Sequence, residues 1–262
     1  MLSNTSYEPH TQSGRGATIA DRSFLDFSVR ELEDLVDTYQ WLVFKQHPLS
    51  VSDVSGHLGR FGRLVQNDRR QDGVLKLDGS QKEEVLLGEG FMPLHRDGPL
   101  MANEIALVGI CCVEYKNVTG GRTFISDIAS ALKEVPAPML DVIREKGIEA
   151  RPVDRYYLKP SDAWHAIPGF IDVDGVNYLN VIFPYKPGEK PSWLVRIPSV
   201  PEEMFETIIE TLRAAILSEK YCYYHEWSEG ELLLFDNRRT LHGREAFHGQ
   251  RSLVNIQVLA DP

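Results

Sequence analysis

Two short stretches of the chain contain residue types that together could bind a metal ion. His95 and Asp97 are separated by one residue in the first stretch, and His242 lies in the second. Two imidazoles and one carboxylate are the ligand set that holds non-haem Fe(II) and leaves coordination positions open for other molecules. Side chains at i and i+2 project from the same face of a strand. We therefore expect one strand to supply two ligands and a distant strand to supply His242.

Other functions share parts of this pattern. His95-Arg96-Asp97 is also the start of the protein-kinase catalytic loop, but that loop has Leu after the Asp and Asn five residues beyond it. Gly98 and Ala102 occupy these two positions here. Two histidines and one carboxylate also suit catalytic zinc, although the chain has no H-E-x-x-H helix. A barrel that binds a metal ion or a small ligand without turnover is a further alternative.

Composition restricts the class of protein and of partner. The chain has 262 residues, 42% of them hydrophobic, which is enough for one sizeable core. A net charge of −10 argues against nucleic acid as a partner, and the sequence contains no transmembrane run and no signal-peptide pattern. Three cysteines do not make a disulfide framework and favour the reducing cytoplasm. We expect a small-molecule substrate, while the oligomeric state is open.

Three segments have the periodicity of amphipathic helices. Ser28 and Glu31 have the form of a capping box at the start of the first helix. Residues 51–65 predict a second helix. Ser199 and Glu202 suggest another capping box, at the start of a third helix.

Short β-type runs separate these helices, and they are rich in apolar, β-branched or aromatic residues. They cover residues 105–115, 121–126, 176–185, 221–227 and 251–259. The pattern predicts a mainly β fold with flanking helices that cover one sheet, arranged as a closed barrel or sandwich. We expect a flexible N-terminus over residues 1–18 and a single domain over residues 19–262.

The motifs taken together resemble those of a known enzyme family. They are Leu75-Lys-Leu-Asp-Gly, Pro93-Leu-His-Arg-Asp-Gly, Gly120-Gly-Arg-Thr-Phe-Ile-Ser-Asp and Phe235-Asp-Asn-Arg-Arg-Thr-Leu-His-Gly-Arg-Glu-Ala-Phe, with an Arg about ten residues after the last His. Their order resembles the Fe(II)/2-oxoglutarate oxygenases of the TauD and clavaminate-synthase type, above all the carbapenem-synthase and PvcB-like branches. The resemblance extends from Leu75 to the C-terminus.

This resemblance implies a fold and a reaction. The fold would be a double-stranded β-helix (jelly-roll, cupin-like) barrel that forms a single oxygenase domain. Fe(II), the cosubstrate 2-oxoglutarate and O₂ would oxidise a small organic molecule by hydroxylation, desaturation, epoxidation or cyclisation, with release of succinate and CO₂. The two branches point to the biosynthesis of a specialised metabolite, and a catabolic dioxygenase is the alternative.

The family pattern also assigns residues. His95, Asp97 and His242 would hold the iron. Thr123 would donate a hydrogen bond to the distal carboxylate of 2-oxoglutarate, and the guanidinium of Arg251 would pair with the same carboxylate. Halogenating relatives have Gly or Ala at the position of Asp97, so the carboxylate argues against halogenation.

Two further positions have alternative roles. Arg244 would support the cosubstrate or the iron ligands, or would form an ion pair with Glu245. Many relatives have a second Arg four residues after the first, where this chain has Asn255. A neutral amide cannot neutralise a buried carboxylate, so we expect a substrate that lacks an acidic group there or binds it through another residue. Alternatively, Asn255 packs beneath the cosubstrate. Further candidate substrate contacts are Leu77, Met101, Tyr157 and Tyr185.

Overall fold

Two β-sheets that face each other form the centre of the protein. The computed structural model describes residues 7–45, 50–81, 84–154 and 160–260. Its strands are β1 (Ala17–Ile19), β2 (Trp41–Phe44), β3 (Val74–Leu77), β4 (Met92–His95), β5 (Ile105–Gly120), β6 (Thr123–Asp127), β7 (Ile148–Pro152), β8 (His165–Ile167), β9 (Phe170–Val173), β10 (Val176–Leu179), β11 (Trp193–Arg196), β12 (Cys222–His225), β13 (Leu232–Asp236), β14 (Thr240–Arg244) and β15 (Phe247–Leu259). Its α-helices are α1 (Val29–Tyr39), α2 (Val51–Leu58), α3 (Ile128–Ala131), α4 (Ala137–Lys146) and α5 (Glu202–Ile216).

The larger sheet has six strands in the order β1-β2-β13-β5-β15-β3, and the facing sheet has four in the order β12-β6-β14-β4. All pairs in the two sheets are antiparallel except β1 with β2. The arrangement is the double-stranded β-helix expected from the resemblance. Two smaller sheets, β11-β7-β8 and β10-β9, lie outside this barrel.

Strand β2 shows how the apolar residues are divided between the two faces of the larger sheet. Trp41 and Val43 point into the barrel, where they join the buried cluster between the two sheets. Leu42 and Phe44 point outward and pack with residues of α1 and α2. The strand is apolar at every position because both of its faces are covered.

The helices cover both sheets, whereas we expected them on one. Helices α1 and α2 pack on the six-stranded sheet, and α3, α4 and α5 pack on the outer face of the four-stranded sheet. The sequence suggests two helical regions but does not say which sheet each one meets.

The predicted start of the first helix is confirmed, and one boundary of each of the other two predicted helices is wrong. At α1 the capping box is confirmed, since Glu31 N donates to Ser28 Oγ at 3.2 Å and Ser28 N donates to Glu31 Oε2 at 2.8 Å. The second helix ends at Leu58, well before residue 65. Helix α5 begins after Pro201 with no side-chain cap. The predicted capping box is absent because Ser199 lies outside the helix, with a left-handed φ of 59°.

The segment over residues 7–18 is bound to the barrel. Trp41 Nε1 donates to His10 Nδ1 at 3.1 Å, and the His10 ring stacks on Tyr223 with centroids 4.0 Å apart. We expected residues 1–18 to be flexible, but the described part of this stretch has fixed partners, and residues 1–6 lie outside the described ranges. The boundary of the domain at residue 19 stays a prediction.

Cys111, Cys112 and Cys222 are free and buried, as expected of packing residues. None of the helices in the described ranges is both long and apolar enough to cross a membrane.

Candidate metal centre

The structure brings the three predicted metal ligands together. His95 ends β4 and pairs directly with His242 on β14, so the two rings lie side by side with centroids 4.3 Å apart. Asp97 Oδ1 is 3.5 Å from His95 Nε2 and 4.0 Å from His242 Nε2. All three residues are buried, and one potential ligand atom from each lies within 4.8 Å of the others. The ligand set predicted from the sequence is therefore one cluster in space.

Asp97 reaches the cluster in a different way from the one we expected. Strand β4 ends at His95, so Asp97 lies in the turn that follows and does not share a strand face with His95. Gly98, the next residue, has a φ of +70°, a conformation that residues with side chains rarely adopt. A Cβ at this position would also lie 2.7 Å from Ile105 Cδ1. The turn thus requires glycine directly after the acidic residue.

The surroundings of the two imidazoles suit metal binding. His95 Nδ1 lies 2.9 Å from the Pro93 carbonyl oxygen. Because a carbonyl can only accept, Nδ1 carries a hydrogen, and in the neutral ring the lone pair is then on Nε2, which faces Asp97. Burial, and then the proximity of His95, lowers the pKa of His242 to about 3. Above mildly acidic pH, His242 is therefore a neutral ring.

Asn237 fixes the backbone of the Asp97 turn, and the sequence analysis assigned it no role. Its Oδ1 accepts from Asp97 N at 2.9 Å, while its Nδ2 donates to the carbonyls of Asp97 at 3.1 Å and Ile105 at 2.8 Å. Asn237 lies between β13 and β14, three residues before the strand that carries His242. The same turn therefore positions ligands from two distant parts of the chain. The only signal in the sequence was its place inside the last motif of the resemblance.

Gln257 also contacts the cluster without having been predicted. Its Nε2 donates to Asp97 Oδ2 at 2.5 Å, and the side chain is buried. Gln257 shares the inward face of β15 with Arg251 and Asn255, since the three are separated by even numbers of residues. The alternation of β15 was the signal in the sequence that places Gln257 on this face.

Arg251 is a buried cation without a counter-ion among the described residues. It is 2% exposed, and its Nε and Nη1 atoms have no hydrogen-bond partner among the described residues. Burial, and then the charge of Arg244, lowers the pKa of Arg251 to about 9. Gly121 lies beside Arg251 and Phe247: a Cβ there would be 2.9 Å from Phe247 Cβ and 3.4 Å, an ordinary contact, from Arg251 Cδ and Nε. Such a site favours an anion strongly, since a buried charge is costly until it is paired.

The hydroxyl of Thr123 is oriented by a tryptophan that the sequence analysis missed. Trp227 Nε1 donates to Thr123 Oγ1 at 3.0 Å, and both residues are buried. Since the indole can only donate, the Thr123 hydrogen must point elsewhere. The described residues offer it no acceptor. Thr123 is thus prepared to donate to a group that enters from the barrel interior.

Arg244 does not form the ion pair that was one of its two predicted roles. Glu245 pairs with Arg122, at 2.9 Å from Nε and 2.6 Å from Nη2. Arg244 donates to the carbonyl oxygens of Val85 and Gly90, both at 2.7 Å, and of Leu86 at 3.1 Å. The guanidinium therefore fastens residues 85–90 over the start of β4. The ion pair is excluded because Arg244 points into the protein, whereas the half-exposed Arg122 lies beside Glu245.

The predicted substrate contacts lie in three different places. Asn255 faces a second guanidinium: its Oδ1 accepts from Arg70 Nη2 at 2.8 Å, and its carbonyl oxygen accepts from Arg70 Nη1 at 2.9 Å. Leu77 and Met101 pack against the cluster inside the barrel. Tyr185 packs on Trp193 with centroids 5.1 Å apart, and Trp193 lies 5.7 Å from the ring of His95.

Tyr157, the remaining predicted contact, lies outside the described residues. The cavity that Tyr185 and Trp193 help to line has a volume of about 670 Å³ and extends to α5.

Comparisons with known proteins agree with this geometry. The family model described as "Taurine catabolism dioxygenase TauD, TfdA family" matches residues 6–257. A tyrosine isonitrile desaturase from Erwinia amylovora is 25% identical over 93% of this chain and 85% of its own length. An (S)-phenoxypropionate/alpha-ketoglutarate-dioxygenase from Sphingobium herbicidovorans is 24% identical over 94% of this chain and 89% of its own.

Solved structures show the same fold. The PvcB protein from Pseudomonas aeruginosa superimposes with a TM-score of 0.74 at 19% identity, over 98% of this chain and 93% of its own. The structure of AAD-2 in complex with Mn(II) and N-oxalylglycine gives a TM-score of 0.69 at 15% identity, over 95% of this chain and 96% of its own.

Proposed function

This chain belongs to the TauD, TfdA family of dioxygenases, and on this premise we propose that it is an Fe(II)- and 2-oxoglutarate-dependent oxygenase. In the overall reaction, 2-oxoglutarate is converted to succinate and CO₂ while O₂ oxidises a small organic molecule. The observation that carries the proposal is the buried Arg251, a cation without an anion among the described residues, in the same barrel interior as the buried triad. A site that only binds a metal ion has no need of such a cation.

The residues present fit an iron ion. His95, Asp97 and His242 would hold it, because two neutral imidazoles and a carboxylate are the donor set of the facial triad. Iron supplies the coordination positions at which 2-oxoglutarate and O₂ can react, a chemistry that amino-acid side chains do not provide. The triad leaves these positions open because the structure brings only three such ligands together in the described ranges.

The chain's own residues would bind and orient the cosubstrate. The Arg251 guanidinium would pair with the distal carboxylate of 2-oxoglutarate in a bidentate contact, which also neutralises the buried charge. Thr123 would donate its hydroxyl hydrogen to the same carboxylate, with Trp227 fixing the direction of that hydrogen. Phe247 would shield the pair from water, since its ring lies 4.8 Å from the Arg251 guanidinium carbon.

For the substrate, we propose a small organic molecule in the biosynthesis of a specialised metabolite, without an acidic group beside Asn255. The similarity to tyrosine isonitrile desaturases from two organisms supports the biosynthetic class. The restriction at Asn255 has a physical reason, because its side chain is already hydrogen-bonded to a buried guanidinium. An acidic group of the substrate would have to compete for Arg70 with Asn255 and with the carbonyl of Gly73, which accepts from Arg70 at 3.1 Å.

A catabolic dioxygenase is the second candidate. The observation that favours it is the similarity to the phenoxypropionate dioxygenase, which spans nearly the whole of both chains. The two candidates differ in the class of substrate, an amino-acid isonitrile or an aryloxy acid. Substrate-dependent succinate release, measured with tyrosine isonitrile and with a phenoxypropionate, distinguishes them.

The first experiment is an anaerobic titration of the metal-free protein with Fe(II) and then 2-oxoglutarate, followed by visible absorption. We expect a weak metal-to-ligand charge-transfer band in the wild type and its loss or weakening in Arg251→Met. Arg122→Met is the matched control, because Arg122 is partly exposed and forms an ion pair with Glu245. A wild type that binds Fe(II) but neither binds 2-oxoglutarate nor shows a band would contradict the proposal and favour the zinc or non-catalytic alternatives.

The cytoplasm is the compartment that we propose for this enzyme. All three cysteines are free and buried, with Cys111 and Cys112 adjacent and Cys222 in the other sheet. A reducing compartment keeps such thiols in this state.

A further inference from the structure

The two oxygens of the Asp97 carboxylate have different surroundings. Oδ1 faces the imidazoles, at 3.5 Å from His95 Nε2 and 4.0 Å from His242 Nε2. Oδ2 accepts a short hydrogen bond of 2.5 Å from Gln257 Nε2. The carboxylate is therefore held from one side by the protein and presents its other oxygen to the candidate metal position.

The orientation of the Gln257 amide follows from its partner. An ionised carboxylate can only accept, so the NH₂ group of the amide must face it. The backbone at Gln257 is fixed on both sides: it pairs with Val108 on β5, and its carbonyl oxygen accepts from Val65 N at 2.9 Å. The donor therefore comes from a rigid strand and not from a loop.

We propose that Gln257 is a positioning residue that keeps Asp97 a ligand through one oxygen. The proposal rests on the proposed function. It adds that Gln257 determines how many coordination positions of the metal stay open. A six-coordinate ion held by three protein atoms has three further positions. Two would be used by the 2-oxo acid, which chelates through its keto and carboxylate oxygens, and one is left for O₂. A carboxylate bound through both oxygens would fill that last position.

A purely structural role for Gln257 makes a different prediction. In that case, loss of its hydrogen bond would lower the melting temperature of the protein, because a buried acceptor is left unsatisfied, and would leave the number of open positions on the metal unchanged. The two roles are therefore distinguished by the number of water molecules on a bound metal ion. A measurement of stability alone would not distinguish them.

The test uses Mn(II), which occupies such sites without turnover, and the longitudinal relaxation of water protons, which counts exchangeable water on the ion. We would compare the wild type with Gln257→Met, whose side chain has similar length and no donor. Leu259→Met is the matched control, because Leu259 is a buried apolar residue of the same strand. Each protein is measured at saturating Mn(II), with saturation checked by electron paramagnetic resonance, before and after addition of 2-oxoglutarate.

In the Mn(II) complex, we expect Gln257→Met to have about one exchangeable water fewer than the wild type. In the Mn(II)–2-oxoglutarate complex, we expect it to lack the one water that the wild type keeps. Leu259→Met should give the wild-type relaxivity. If Gln257→Met gives the wild-type relaxivity at saturation, the proposal is wrong, whatever happens to the melting temperature. Gln257→Asn withdraws the donor while keeping a buried amide, and it replaces Gln257→Met should that variant not fold.

The same measurements distinguish a failure of the proposed function from a failure of the role of Gln257. A wild type that binds Mn(II) without any change in relaxivity or affinity on addition of 2-oxoglutarate overturns the assignment of the cosubstrate. The role of Gln257 is then decided by the Mn(II) complex alone, where the same loss of about one water is expected. A wild type that does not bind Mn(II) overturns both.

Discussion

Replacement of Arg251 by Met should have two effects of opposite sign. We expect the ligand-free protein to become more stable, because the variant removes a buried charge that has no acidic partner among the described residues. We expect the affinity for 2-oxoglutarate to fall, because the same charge is the proposed partner of the distal carboxylate. A residue that only contributes to the fold would not show this combination.

The size of the first effect follows from the pKa of Arg251. Burial, and then the charge of Arg244, lowers that pKa to about 9, well below the value of a free guanidinium. At 1.36 kcal/mol per pKa unit, the charged form destabilises the ligand-free fold by at most about 5 kcal/mol. Since the pKa of this cation is lower in the folded than in the unfolded state, the destabilisation is complete below pH 9 and decreases as the pH rises above 9.

Part of this energy is offset by the loss of the packing of the arginine stem, so we expect a gain of about 1–3 kcal/mol. For a chain of this size, that corresponds to a rise in melting temperature of about 2–10 °C. Truncating one partner of a buried charge pair costs about 2–5 kcal/mol in binding, which is a loss of roughly 30-fold or more in the affinity for 2-oxoglutarate.

The assay is thermal unfolding with and without 2-oxoglutarate at saturating Mn(II), combined with calorimetric titration. Arg244→Met is the matched control, because Arg244 is also buried but donates to three carbonyl oxygens. Its loss leaves those acceptors unsatisfied and should lower the melting temperature. A ligand-free Arg251→Met protein that is less stable than the wild type, and that 2-oxoglutarate still stabilises fully, would refute the reasoning.

Three further predictions concern single side chains. Thr123→Val should weaken 2-oxoglutarate binding by about 10- to 100-fold, because the donor to the distal carboxylate is lost. The affinity for Mn(II), measured by titration, should not change. Equal losses of affinity for 2-oxoglutarate and Mn(II) would argue against this role. Asn255→Arg should lower the free energy of unfolding by about 1–3 kcal/mol in denaturant titrations, because a second guanidinium would replace the acceptor of Arg70. The variant should not turn over acidic substrates faster than the wild type. A variant that is as stable as the wild type and gains activity on acidic substrates would contradict this. Burial, and then the charges of His225 and Lys45, lowers the pKa of His10 to about 4. The unfolded chain therefore binds more protons between pH 6.5 and 4, and stability falls as the pH falls through this range. In His10→Gln, the loss of unfolding free energy from pH 7 to pH 5 should be about 1–2 kcal/mol smaller than in the wild type; equal losses would show that His10 does not contribute.

Contacts between neighbours in the chain were predictable from the sequence. The capping box of Ser28 and Glu31 joins residues three apart, and its hydrogen bonds are as predicted. The alternation in β15 placed Arg251 and Asn255 on one face, and both are buried there. Where the prediction was wrong, as at Ser199, a single backbone angle had decided the local geometry, and residue types alone do not determine that angle.

The sequence by itself determined the chemistry that this protein can perform: which residues can ligate a metal ion, and which cation and hydroxyl can accompany them. Residue types fix these properties, whereas the i, i+2 spacing of His95 and Asp97 did not decide how they meet, since Asp97 lies in a turn after the strand. The tertiary structure alone decided the partners that hold these groups in position. Asn237 is 140 residues from Asp97, Gln257 is 160 residues from it, and Trp227 is 104 residues from Thr123. Contacts at such separations depend on the register of paired strands and on the turns between them, and local periodicity contains no information about either.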